Sequence, residues 1–239
     1  KKHRDIGVIV MEPYRHHEPE KDFLRKVRNI ADRIGAVLVF DEITIAWRLN
    51  LGGIHLHYGI YPDISVFGKA MSNGYPMAAI IGKKKVMEAA QKTFISSTCW
   101  TERVGPTAAI ATIKKLRSKK IHTHLKNIGD IITEGLTKLA GKHDLKLKIL
   151  PPPQAIVFSF DYGKESQAIR TLFTQEMLKR GFLASNLIYV SYAHKSHHVR
   201  KYLRTCDEVF GIIIKAIQER KVRRLLKGPV AHSGFKRLT

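Results

Sequence analysis

Acidic residues are scarce in this sequence. Twenty Asp and Glu stand against 42 Lys and Arg, a formal net charge of +22 over 239 residues. Such an excess raises nucleic acid or an anionic membrane as a partner. The basic residues are, however, spread along the whole chain, and no nucleic-acid fold signature accompanies them, which argues against nucleic acid as the main partner. RSKK (Arg117 to Lys120) and KVRRLLK (Lys221 to Lys227) read as solvated helix faces and ends. Cysteine is nearly absent: Cys99 and Cys206 lie far apart and show no metal-ligand spacing. That excludes a disulfide framework and makes a reducing, cytoplasmic setting the default. His16 and His17 have no third ligand at useful spacing, so no metal is expected. No apolar run approaches the ~20 residues of a membrane helix. The opening KKHRDIGVIV superficially resembles a secretory signal, but its apolar run ends at Glu12-Pro13 with no small-residue cleavage site, so it reads as a strand. There is no internal repeat and no low-complexity segment.

What is present centres on residues 40–76. Two short apolar runs, AVLVF (Ala36 to Phe40) and ISVF (Ile64 to Phe67), have the length of buried strands. Each ends in charge: Asp41 and Glu42 follow the first, and Lys69 follows the second after one glycine. In open α/β sheets ligands sit outside the carboxyl ends of the strands. A carboxylate and an amine at two such ends can converge on one small molecule. Pyridoxal phosphate (PLP) chemistry fits the pair: a lysine forms a Schiff base with the cofactor aldehyde and an aspartate pairs with the pyridinium nitrogen. Taken singly, Asp41 as a helix cap and Lys69 as a loop lysine are the ordinary alternatives.

The surroundings sharpen the pair. FDEI, an arginine, a Gly-Gly pair and YGIYPDISVFGKAMSNGYPMAAIIGKKKVM resemble the core of the class III, PLP-dependent aminotransferases, most of all the branch containing glutamate-1-semialdehyde aminomutase. The resemblance extends upstream to VIVMEP (Val8 to Pro13) and downstream to SSTCWTERVGPTAAIAT from Ser96, and continues through the second half of the chain in pattern only. It implies that Lys69 carries the cofactor, Asp41 holds its ring nitrogen, Ile43 packs on a ring face and Thr98 contacts its phosphate across a homodimer interface. It also implies a small amino or keto substrate. WTERVGP stands where the commoner family pattern has an Asn-Pro soon after the threonine, as in a sub-branch associated with nucleotide-sugar and surface-polysaccharide pathways. From the residues themselves, Glu12 and Arg15 leave a strand end, and the fork of Arg15 suits a substrate carboxylate.

The order of elements supports an α/β fold. An amphipathic helix over 22–34, closed by Gly35, lies between strands at 6–11 and 36–40, which is the βαβ unit of a parallel sheet. The run 77–82 follows the second strand too closely for a crossover and is expected to be antiparallel. Residues 43–61 read as a long loop, in which the alternation of His55 and His57 with apolar residues fits a loop better than a metal clamp. Helices are expected over 83–92, 105–116, 122–140, 165–180 and 196–220, and strands over 145–150, 155–160 and 186–192. His194, just past a strand end, is a further candidate for the cleft.

The expected architecture is fold type I of the PLP-dependent transferases: a mixed, mostly parallel large domain, here residues 1–116, a connecting helix at 117–144, a small α+β domain at 145–220 and a basic tail at 221–239. In the resembled family the phosphate-cupping turn and the second ring-stacking aromatic lie upstream of this first strand. The expectation is therefore that an N-terminal portion, in cis or as a complementary chain, completes the fold. The leading reading is a transaminase or aminomutase. The others are an incomplete, non-catalytic homologue and a basic nucleic-acid-binding module.

Overall fold

The structure is a computed structural model and describes residues 5–99 and 101–234. The last five residues of the expected basic tail, and residues 1–4 before the first strand, lie outside the described residues. The chain divides between His124 and Leu125 into two compact units.

The first unit is built on a four-stranded sheet in the order β1-β2-β3-β4 (Val8–Met11, Val37–Asp41, Ile64–Phe67 and Ala79–Gly82). β1, β2 and β3 run parallel and β4 antiparallel, the mixed sheet that the short link between 67 and 79 dictates. Helix α1 (Phe23–Ile34) connects β1 to β2 and ends at Gly35 in the left-handed region, with φ of 70°. Its Leu24 and Ala31 pack with Leu38 and Phe40 of β2 and with Ile60; Ile9 and Met11 of β1 border this core. Val27 of the helix is half-buried against the same core, whereas Phe23, Ile30 and Ile34 are exposed.

The opposite face of the sheet departs from the sequence expectation. VIVM reads as a buried strand, yet Val8 and Val10 are 53% and 66% exposed. Register pairs them with Val37 and Val39, which are half-buried, so this face is open over β1 at the edge of the sheet and partly covered over β2. A parallel sheet ordinarily has both faces covered. A four-residue apolar run carries no alternation by which the sequence could reveal which face is uncovered.

Asp63 pins this sheet. Its carboxylate takes the Leu38 amide at 2.8 Å, the Arg28 guanidinium of α1 at 2.7 Å and the Lys83 amine beyond β4 at 2.7 Å. Burial alone would raise its pKa, but these three donors outweigh burial and hold it down at about 2. The stretch 83–92 forms a short helix, α3 (Lys84–Met87), continuing as a 3₁₀ turn (Glu88–Lys92), and α4 (Val104–Ser118) follows.

The second unit, which takes in most of α5 (Ile121–Lys142), has an antiparallel three-stranded sheet, β5-β6-β7 (Leu147–Leu150, Ala155–Phe160 and Leu187–Tyr189), with α6 (Ser166–Lys179) and α7 (Ser196–Gln218). Phe158 and Phe160 of β6, Phe173 of α6 and Phe210 of α7 are almost wholly buried, with ring centroids 5.4–6.3 Å apart. Asp207 of α7 holds the end of α5 through Lys142 and His143, each at 2.6 Å. Gly129 on α5 lets Pro153 approach: a Cβ there would lie 1.9 Å from the Pro153 carbonyl oxygen. Residues 222, 223 and 231, beyond α7, are tied to the rest of this unit. Val222 is buried, Arg223 pairs with Glu165, and the Ala231 amide bonds Thr171 at 3.0 Å.

Candidate active site

Adjacent parallel strands bring three carboxyl ends side by side. Met11 and Phe40 are register partners, as are Asp41 and Val66. Glu12 therefore follows the end of β1, Asp41 ends β2, and Lys69 lies two residues beyond β3. This edge carries the Asp41 and Lys69 pair that the sequence spacing predicts, with Glu12 beside it.

The chain after Asp41 turns back sharply. One Asp41 oxygen, Oδ1, accepts the Ile43 amide at 3.0 Å, which leaves the other able to take an N–H from a ligand. The Ile45 and Ala46 amides donate to the Glu42 carbonyl, and both side chains are buried. Ile43 faces Gly68: a Cβ on that glycine would sit 3.5 Å from Ile43 Cγ2. Lys69 opens a short 3₁₀ turn (Lys69–Met71) whose Met71 is buried. Its backbone φ of 46° lies in the left-handed region, a conformation that costs a non-glycine residue energy and clusters at functional sites. Its ε-amine donates to Thr44 Oγ1 at 2.8 Å.

Residues 43–61 are not simply a loop. His55–Tyr58 form a single helical turn, α2, and His55 is buried. The fully buried Glu42 carboxylate accepts the Ile54 amide with one oxygen and contacts His55 Nδ1 with the other. Gly53 makes room for the pair, because a Cβ there would lie 2.4 Å from His55 Nδ1. His55 also packs edge-on against Tyr61, with ring centroids 5.9 Å apart. Neither this pair nor the contact of Thr44 with Lys69 is anticipated by the sequence. Glu42 adjoins Asp41, but its partner lies 13 residues on in a turn too short for any periodicity to reveal.

The other predicted site residues are less engaged. Arg15 pairs with Glu12 at 3.2 Å. Thr98 is exposed and lies in a turn, and no hydrogen bond among the described residues links it to Asp41 or Lys69. In the second unit, His194 Nδ1 accepts the Ser191 amide at 3.0 Å. Among the described residues no group of three or more His, Cys, Asp or Glu is arranged to hold a metal, and no helix is long and apolar enough to cross a membrane.

The donor set suits PLP: an amine for the aldehyde, a carboxylate oxygen for the ring nitrogen, and the apolar Ile43 beside the glycine that precedes the amine.

Comparison with known proteins finds aminotransferases and aminomutases. The chain is 29% identical over 219 residues to an aminopentol aminotransferase of Sphingopyxis macrogoltabida, covering 88% of this chain and 52% of that protein. It is 30% identical over 224 residues to a 3-aminobutyryl-CoA aminotransferase of Cloacimonas acidaminovorans, covering 90% and 52%. It is 28% identical over 228 residues to a glutamate-1-semialdehyde 2,1-aminomutase of Ignicoccus hospitalis, covering 87% and 54%. Among solved structures, the PLP internal aldimine form of the FumI protein of Sphingopyxis sp. MTA144 superposes with a TM-score of 0.83 at 28% identity, over 90% of this chain and 54% of that one. The chain thus spans about half the length of the curated relatives it matches. The aminotransferase class-III family model matches residues 1–214. By that match the chain belongs to the class-III aminotransferases.

Proposed function

We propose that this chain supplies the lysine-bearing part of a PLP-dependent aminotransferase or aminomutase that moves an amino group on a small amino or keto substrate. The observation that supports this reading is the adjacency of β2 and β3, with Asp41 ending one and Lys69 following the other on the same edge. PLP, when bound, supplies an aldehyde that condenses with amines and a ring that withdraws electrons from the reacting carbon. Lys69 Nζ is the amine that holds the cofactor. Once released, the same nitrogen is the base that removes a proton from the substrate carbon and returns it. The free oxygen of Asp41 accepts the ring N–H and keeps that nitrogen protonated, and Ile43 packs on the ring. Aminotransferase and aminomutase share these roles.

Thr98 is assigned to the cofactor phosphate, reached from a partner in a homodimer; its exposure leaves it accessible to a second chain. Arg15, itself exposed, is assigned with Glu12 to the substrate, its guanidinium exchanging the Glu12 carboxylate for that of the substrate. The open face of the sheet and the half-length match support completion by the rest of such an enzyme, in the same polypeptide or a second one. We assign the protein to the cytoplasm.

The test is a PLP titration followed by absorbance, on the chain alone and on a form completed with the portion that its relatives have in addition. Lys69→Ala abolishes the covalent band in both. Asp41→Asn leaves cofactor bound but slows proton abstraction about a hundredfold or more, read by stopped-flow half-reactions. A band that survives Lys69→Ala refutes the assignment, and unchanged rates in Asp41→Asn reduce Asp41 to a turn cap.

A further inference from the structure

The amine of Lys69 is held at both ends. Its backbone is fixed by the left-handed φ of 46° and by the buried Met71 that closes its 3₁₀ turn. Its nitrogen is fixed by Thr44 Oγ1 at 2.8 Å, and the ion pairs among the described residues do not include it. Thr44 is itself held in place. It lies between Glu42, whose carboxylate is buried on Ile54 and His55, and the buried Ile45, and its carbonyl accepts Arg48 Nε at 2.8 Å.

The chemistry of the partner matters. A carboxylate there would favour the ammonium and oppose its use as nucleophile or base. A hydroxyl is both donor and acceptor. It accepts from the ammonium and, after the proton leaves, rotates to donate to the nitrogen lone pair. The contact therefore survives the change of protonation that a base must undergo.

We propose that Thr44 is the positioning residue for Lys69, its hydroxyl holding the ε-amine whenever that nitrogen is not covalently engaged. This rests on the reading of Lys69 as the cofactor lysine. The hydroxyl keeps the amine aimed along one line without a counter-charge, and the geometry that fixes the hydroxyl is the turn that also presents Asp41 and Ile43.

The experiment is trace labelling of amines with isotopic acetic anhydride in the absence of cofactor, followed by peptide mass mapping. Lys83, whose amine rests on Asp63, is the internal standard. Thr44→Val removes the hydroxyl at nearly constant volume, Thr44→Ala is a second hydroxyl-free variant, and Thr44→Ser restores the oxygen. The expected result is a rise in Lys69 labelling relative to Lys83 of about threefold in the hydroxyl-free variants, with Thr44→Ser at the wild-type ratio. An unchanged ratio in the hydroxyl-free variants overturns the proposal. So does a rise that Thr44→Ser shares, and so does a parallel rise at Lys83, which makes Thr44 a general structural residue. Borohydride reduction of the wild-type protein with PLP separates the two readings. An adduct at Lys69 with an unchanged labelling ratio removes only the role of Thr44, whereas an adduct elsewhere removes the reading of Lys69 on which it rests.

Discussion

The two units of the chain bury their apolar residues in different ways. The second closes on itself: four phenylalanines from β6, α6 and α7 meet in one aromatic core. The first splits its burial into separate small clusters, one under α1, one around Phe67 and Met71, and one around Tyr14, Ile45 and Ile54. It leaves Val8, Val10, Ile80 and Ile81, on the two outer strands of its sheet, exposed. The candidate chemistry sits entirely on the first, less enclosed unit. The lesson is a division of labour. The second unit gathers its largest buried side chains in one aromatic core, whereas in the first a few polar anchors, Asp63 and Glu42 above all, tie strand ends and the turn after β2 together.

The largest expected effect breaks the stronger side. Phe173→Ala empties the centre of the aromatic core and is expected to cost about 4 kcal/mol, seen as early unfolding of the second unit in chemical denaturation. A loss below 1 kcal/mol would show that this core is not what holds the unit.

A smaller effect tests the anchors of the first unit. Asp63→Asn is expected to cost about 3 kcal/mol by leaving Arg28 and Lys83 without their shared carboxylate. The same group sets a pH dependence. Its folded pKa, about 2, lies below the usual value of about 4. The stability it adds, about 2 kcal/mol, is therefore complete above the unfolded value and is lost as pH falls toward 2. Melts of wild type and Asp63→Asn between pH 6 and pH 2 should converge at the acid end; parallel curves would contradict the network.

The smallest effect sharpens the contrast. Val10→Thr on the open face is expected to change the stability of the chain alone by about 0.5 kcal/mol or less. A loss well above 1 kcal/mol would mean that the face is covered.

Much of this was legible in the sequence. The spacing of Leu24, Val27 and Ala31 with Gly35 behind them announces α1, and the short step from Phe67 to Ala79 requires an antiparallel β4. The charged residues that end β2 and follow β3 fall on one edge of the sheet, as their places after two strand-length apolar runs led one to expect. What was not legible depends on contacts between distant residues. VIVM cannot say which of its faces is uncovered. The 3.6-residue pattern of α1 includes Phe23, Ile30 and Ile34, which the fold leaves exposed. Glu42 and His55, or Thr44 and Lys69, are separated by 13 and 25 residues, and only the folded turn brings them together.

Lys69, and no other lysine, is proposed as the reactive amine of this edge. The most direct measurement is reduction of the PLP-treated protein with borohydride, followed by peptide mapping of the modified lysine. A single dominant adduct on Lys69, lost in Lys69→Ala, is expected. A dominant adduct on Lys83, Lys84 or Lys85, or one that survives Lys69→Ala, would contradict it.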